Sequence, residues 1–439
     1  MEAGSARIAP GGRSRSPRQL VPVAGSALIA ATLAYGLTAT AAGYELGTAT
    51  PPLLYRWAPH ASPFALVGAA VLAAGCGLSP RLRRVGVTPV RFALAVFGLA
   101  LALRLGLGVA RAGTIGWYGV FELGRFEASN EYLPALPAFD FGLRLFLDTF
   151  AEIGTSLPVH AIGHPPGLLV TMHALGIDSA AGLAALTIGI GALSAPLVYA
   201  LGRELGDESR ARTATLLYLF APSAMLHGAT SADALYATLA LAAAVVLLAT
   251  RAPIRALGPP TLALASFYSW ANLAIGAVCA LVALRRDGAR RALALSAGCA
   301  LGLVAFYGLL ALGTGFDPVG AFRAAESVYR EGVASGRPYA FWLFGSPVAF
   351  LIAAGLPLAW LGLRALGEGR DVALALFAVL AFSAVLGFTK AETERIYLFL
   401  VPLLCLAAST VLPERRLGAV LAALAVQALA TELLFLTIW

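Results

Sequence analysis

Charge is what this chain has least of. Only 12% of its 439 residues are Asp, Glu, Lys or Arg, about half the quarter usual in soluble domains. With 59% hydrophobic residues and a mean hydropathy of +0.82, it cannot clothe itself in polar surface, which excludes a water-soluble globular fold. Lysine is nearly missing: Lys390 is the only one, and every other fixed positive charge is arginine. Those arginines form no long basic block. They sit in short clusters between apolar runs, which argues against nucleic acid and for membrane loops. Cys76, Cys279, Cys299 and Cys405 show no CxxC pairing and lie in or beside apolar runs, so they read as small core residues and not as a disulfide or zinc framework. No internal repeat is visible, and the apolar run that follows the polar N-terminal stretch is too long for a cleaved signal peptide.

Apolar runs of the length that crosses a bilayer, about 20 residues, are abundant. They lie at 22–43, 63–79, 89–111, 180–201, 212–226, 233–250, 259–284, 291–313, 341–363, 371–389, 396–411 and 417–437. The run at 259–284 is interrupted by "SFYSWAN" and reads as a hairpin of two short helices. This predicts an all-α polytopic bundle with about 13 crossings. The domain reading is a disordered basic tail over 1–21, two extra helices within 22–88, a main module over 89–402 and a C-terminal membrane region over 403–439. With the tail in the cytoplasm, the loops "RLRRVGVTPVR", "RELGDESRAR", "RAPIRALG", "RRDGARR", "RALGEGR" and "PERR" all fall on that side. Each carries at least two arginines, so the positive-inside rule is satisfied throughout. Most of the acids, and the histidines, then gather at the other face.

The longest outer segment, about 112–179, exceeds what is needed to join two spans, and loops of that length are usually functional or disordered. Within it, Leu143, Phe146, Leu147 and Phe150 recur with helical spacing while Arg144, Asp148 and Glu152 share the opposite side, as in a surface-lying amphipathic helix. A second short helix is expected over 167–176, after the Pro-Pro-Gly of "HAIGHPPGLLV", with His160 and His164 held at the corner. Three other outer stretches accompany these: "HGATSAD" (227–233), the segment 316–342 with Arg337, and "KAETER" (390–395). Carboxylates to take a proton and arginines to hold an anion suit attack by a hydroxyl on an activated, lipid-anchored donor. A phosphate leaving group needs cationic neutralisation and no general acid.

These stretches, together with "SNEYLPALPAFD", "GHPPGLLVTMHALG", the run from Ala195 to Leu235 and "ERIYLFLVP", resemble the GT-C superfamily of polytopic glycosyltransferases. The group that includes protein mannosyltransferases, aminoarabinose transferases and arabinofuranosyltransferases is the nearest likeness. The resemblance spans roughly 89–402. It implies transfer of a sugar from a polyprenyl-phosphate donor on the outer face of the cell membrane, with a first-loop carboxylate as base. Glu131, 33 residues before His164, is the implied base, with Glu127 and Asp140 as rivals; the acidic neighbour common in the family is here Asn130. Lys390 or Arg395 is implied near the lipid phosphate, and His164, His160, Arg104, Arg337 and Glu394 complete the expected substrate and phosphate contacts. No residue is assigned as a metal ligand, although the outer acids would suit a divalent cation, magnesium or manganese. The partners implied are the donor lipid, a glycan or lipid acceptor and the surrounding membrane lipids. Arginine-for-lysine and alanine-rich usage suggest a GC-rich genome, and with it mannose or arabinose as the donated sugar.

Plainer readings stand beside these. Glu131 is open to being a solvated loop acid, His173 reads as structural, and Asp233 with Ser231 as a helix start. Arg104 reads either as an anion ligand, as a side chain reaching the interface, or as half of a structural pair. Tyr339, Phe341 and Trp342 fit an interfacial aromatic belt. A transporter of lipid-linked or small polar substrates and a non-catalytic envelope scaffold are the competing functions.

Overall fold

The computed structural model describes residues 17–83 and 86–437. Residues 1–16 of the expected basic tail lie outside that range, and the remainder is already helical from Pro17. Among the described residues, six helices are long and apolar enough to cross a membrane. They are Gln19–Ala41, Ala65–Leu82, Pro89–Ala112, Ala180–Leu205, Ala289–Thr314 and Glu414–Leu434. Two bent pairs raise the number to eight if each is one span: Pro222–Thr230 with Asp233–Leu247, bent by 118°, and Tyr339–Ala354 with Leu356–Gly367, bent by 116°. The protein is therefore an all-α, membrane-embedded bundle, and the count of 13 is not reached on length and composition. The cause is visible in the sequence: the other apolar runs are cut short. Pro222 ends the run begun at Glu208, the "SFYSWAN" break separates Gly258–Ser266 from Leu273–Asp287, and the 396–411 run becomes a 3-10 turn followed by Val401–Ser409. The two short helices expected at 259–284 are present, on either side of that break.

The short pieces form the centre and the long helices the rim. Nearly every residue of Glu208–Phe220, Pro222–Thr230 and Val401–Ser409 is buried. By contrast Leu293, Leu301, Val304, Leu309 and Leu312 of Ala289–Thr314 are exposed along one side. Leaving five such side chains in water instead of hydrocarbon would cost about 10 kcal/mol, so this flank is built for lipid. The broken central helices are tolerated because their freed backbone groups are enclosed by protein.

Arginines rivet the ends of the bundle. Arg212 donates to Glu208 Oε1 at 2.6 Å and to the carbonyls of Leu82 at 3.1 Å and Val87 at 2.5 Å, tying two of the basic loops together. At the opposite end Arg111 donates to the carbonyls of Glu432, Phe435 and Ala58 at 2.8–2.9 Å. It braces the one small sheet of the described residues, in which Arg56–Trp57 pairs antiparallel with Phe435–Leu436. The two helices within 22–88 are integral to the bundle: Leu54 and Tyr55, in the loop between them, reach Glu394 and His227. The Val401–Ser409 helix likewise runs across the 402/403 boundary.

Candidate functional site

Four chain breaks converge to build a buried polar cluster at the end of the bundle that carries the long 112–179 segment. The first is the 3-10 turn Glu127–Ser129 and the two residues after it. Asn130 O accepts from the backbone N–H of His160 at 2.9 Å, pinning this turn to the second break, Val159–Gly163 and its Pro-Pro corner. A residue before proline is driven to extended backbone, and His164 has φ −123° and ψ 155°. That kink separates Val159–Gly163 from Gly167–Leu175, the second short helix the sequence predicts. Glycine is required where the corner meets the next helix: Gly167 N–H donates to Phe267 O at 3.0 Å, and a Cβ there would lie 2.4 Å from that oxygen. Gly167→Ala is expected to destabilise the protein by about 2 kcal/mol, read as a lower unfolding temperature in detergent; an unchanged temperature would show that the corner yields.

The third break joins the bent pair at Ser231–Ala232. Ser231 Oγ donates to Asp233 Oδ2 at 2.7 Å and accepts from Asp233 N–H at 3.1 Å, so the helix-start role expected of this pair is present. Asp233 does more: its Oδ2 also accepts from Arg395 Nη1 at 2.6 Å. The fourth break supplies Arg395. Here Ala391 (φ 64°) and Glu392 (φ 60°) adopt left-handed backbone, costing roughly 1–3 kcal/mol each for non-glycine residues. The ion pairs hold Glu392 in that state: it accepts from Arg395 Nη2 at 3.2 Å and from Arg337 Nη2 at 2.8 Å. Burial alone would raise the Glu392 carboxyl, but Arg395 and Arg337 overcome it and hold it below its ordinary pKa. Burial would likewise depress Arg395, and Asp233 and Glu392 reverse that, keeping its charge firmly in place.

Glu127, Glu131 and His160 face this ion network. His160 Nε2 is 2.9 Å from Glu127 Oε1 and 4.0 Å from Glu131 Oε1. Burial and Arg395 oppose charge on His160, while Glu131, the bond to Glu127 and Glu392 favour it and prevail, so its pKa is raised. Glu131 is 2% exposed, and among the described residues its carboxyl accepts no hydrogen bond. Burial pushes its pKa up to about 7 against the pull of His160 and Arg395. Tyr236 OH donates to Tyr132 OH at 2.8 Å, and the His164 ring lies 4.8 Å from that of Tyr236. Burial lowers the His164 pKa to about 4, so it is neutral near pH 7 and offers a hydrogen bond, not a charge.

The expected site residues thus divide. Glu131, Glu127, His160, His164, Arg395 and Arg337 come together. Glu392, Asp233, Tyr132 and Tyr236 join them without having been expected as site residues; Asp233 was read only as a helix start, and Glu392 was legible only as a neighbour of Arg395 in "KAETER". Lys390 stands beside the cluster, its ammonium donating to the carbonyls of Ala334 at 3.2 Å and Arg337 at 3.0 Å, so it braces the loop. Glu394 turns away to accept from Leu54 N–H at 2.6 Å. Asp140 is exposed at the end of the Leu133–Phe139 turn, with no bond into the cluster among the described residues. Among the described residues Arg104 meets no acid. It is 2% exposed and donates to Ser194 Oγ at 3.2 Å and Tyr218 OH at 3.3 Å, with Gly191 and Gly228 leaving room for its guanidinium.

Glu127, Glu131 and His160 each place one ligand atom within 4.8 Å of the others. Two carboxylates and an imidazole fit a divalent cation, and the nitrogen suits manganese better than magnesium. A cation bound to Glu131 would lower the basicity of its carboxylate and so oppose a role as base. Glu394 carries a separate consequence. Burial pushes its pKa up to about 7, so the stability it allows is present below about pH 4.5 and is lost as pH rises through 7. Glu394→Gln is expected to raise the unfolding temperature at pH 8, by on the order of 2 kcal/mol of stability, and to change little at pH 5. An equal effect at both pH values would show that Glu394 is not ionising in that window. No protein-family model, no curated protein and no solved structure matches the chain.

Proposed function

We propose that this protein is an inverting membrane glycosyltransferase that moves a sugar from a polyprenyl-phosphate donor to a hydroxyl of a glycan, lipid or protein. The single observation that carries the reading is Glu131: a buried carboxyl with no hydrogen bond among the described residues and a pKa of about 7, beside cations that suit a phosphate. A general base works best with a pKa near the working pH. In the step proposed, Glu131 takes the proton of the acceptor hydroxyl as its oxygen attacks the anomeric carbon. The bond from that carbon to the phosphate oxygen breaks, and polyprenyl phosphate leaves with the electron pair. Arg395, and His160 as imidazolium, supply positive charge for it. In this reading the cluster faces the extracytoplasmic side of the cell membrane, the arginine loops face the cytoplasm, and the short central helices also traverse, for about 13 crossings. The likeness to the GT-C superfamily supports the donor class.

The test is sugar release and transfer by purified protein given polyprenyl-phosphate mannose, arabinose and related donors. Transfer should increase as pH rises through about 7, where Glu131 ionises. Absence of turnover with every donor, while lipid-linked sugar crosses vesicles containing the protein, would favour transport. One observation supports that second reading: the buried Asp233–Arg395 pair sits at a 118° helix break, the kind of discontinuity at which transporters hold substrates.

A further inference from the structure

The other end of the bundle holds a cavity of about 330 Å³, at the lower end of the roughly 300–1,000 Å³ of small-ligand sites. The Asp233–Leu247 helix connects the two: Asp233 is in the cluster above, and Leu247 lines this cavity, about 20 Å away at the helical rise. Arg255, Arg286 and Arg291 line it, from "RAPIRALG" and "RRDGARR". None of the three makes an ion pair among the described residues. Arg255 Nη1 donates to the carbonyls of Ala249 and Thr250, both at 3.1 Å, and Arg286 Nη1 to the Glu204 carbonyl at 3.3 Å. Of the two acids in the lining, Glu204 already accepts from Thr250 N–H at 2.8 Å, and Asp287 is exposed.

Three arginines against the two lining carboxylates, Glu204 and Asp287, leave one net positive charge in a partly desolvated recess; Asp287 is the acid that acts on Arg291. Arg291 stands in the first turn of Ala289–Thr314, whose dipole also favours an anion there. We infer that this cavity binds a phosphate ester, the headgroup of an anionic phospholipid, between Arg255, Arg286 and Arg291. The lipid source is favoured by what borders the recess. Leu247, Val282 and Leu295 form its apolar wall, and the helix that carries Leu295 presents Leu293 and Leu301 as an exposed apolar face on its other side. Acyl chains have a surface to lie on; a free phosphate would leave that surface unused. Basic pockets between membrane helices are suited to such headgroups.

The experiment uses the purified full-length chain in neutral detergent, with phosphatidylglycerol, phosphatidylcholine or soluble sn-glycerol 3-phosphate added as probe and the unfolding temperature recorded. Phosphatidylglycerol is expected to give a saturable increase and phosphatidylcholine none. Arg286→Ala with Arg291→Ala should raise the half-saturating phosphatidylglycerol concentration at least tenfold. Arg286→Lys with Arg291→Lys, which keeps the charge, should stay nearer wild type and guards against a folding defect. Arg415→Ala with Arg416→Ala, which removes two exposed arginines elsewhere, should change nothing. If sn-glycerol 3-phosphate saturates at the same concentration as the lipid, the phosphate-ester site stands and its source is soluble. Equal responses to the two phospholipids, or equal losses in the two alanine pairs, would overturn the inference.

Discussion

Glu131→Gln is expected to lower kcat/KM for sugar transfer by about a thousandfold, within the 10²–10⁴ range of positioned proton transfer, or roughly 4 kcal/mol of transition-state stabilisation. The amide keeps the shape of the side chain and cannot accept the proton. Because Glu131 is buried with a pKa of about 7, the substitution also removes a carboxylate that is expensive to ionise, so the variant should unfold no more readily than wild type at pH 8. Loss of activity with retained stability separates a chemical role from a structural one. The rise of activity through pH 7 should vanish with it. Glu127→Gln weakens the bond that orients His160 and should cost less; Asp140→Asn, at an exposed turn end, should cost nothing. An Asp140→Asn variant as impaired as Glu131→Gln, or full activity in the latter, would remove Glu131 from the base role.

The second large effect is on stability. Arg395 is bonded to Asp233 and Glu392; Arg395 and Asp233 are buried and Glu392 is partly so. Removing one member of such a pair leaves an uncompensated buried charge and costs 3–5 kcal/mol. Arg395→Met should lower stability by about that much, since it strands Asp233 and leaves Glu392 with Arg337 alone, and should loosen the left-handed backbone at Ala391 and Glu392. Adding Asp233→Asn to Arg395→Met removes the stranded charge and should restore part of the loss. Unfolding temperatures of wild type, the two single variants and the double variant measure this coupling. Strict additivity of the two changes would mean the pair does not act as a unit.

Most of the helices and the side of the bundle that carries the cluster were legible in the chain because both rest on local information. Hydrophobic run length reports a span, and Pro165–Pro166 reports a corner. Glu131 and His160 were found from the length of an acidic loop and from the family likeness. What the sequence concealed is pairing at a distance. Nothing near Asp233 points to Arg395, 162 residues away, and nothing near Arg337 points to Glu392, 55 residues away. The surroundings of Arg104 were concealed for a related reason. An arginine inside a span suggests an anion, and only the packing reveals that Ser194, Tyr218 and two glycines accommodate it. Hydropathy alone does not register where proline or glycine breaks an apolar run, so length and composition show six to eight spans among the described residues where the sequence suggests 13.

The Asp233–Arg395 bond also sets an order of events during synthesis. At about 5–20 residues per second, the ribosome adds the intervening 162 residues in roughly 8–30 s. Throughout that interval the nascent chain carries Asp233 at the head of an apolar helix with its future cation not yet made. The helix break at Ser231–Ala232 keeps that carboxylate at a chain bend, where water can stay with it, until "KAETER" emerges. Closure of the ion pair is then a late step of biogenesis, so a chain stalled before Arg395 would present an open bundle to the quality-control machinery of the membrane.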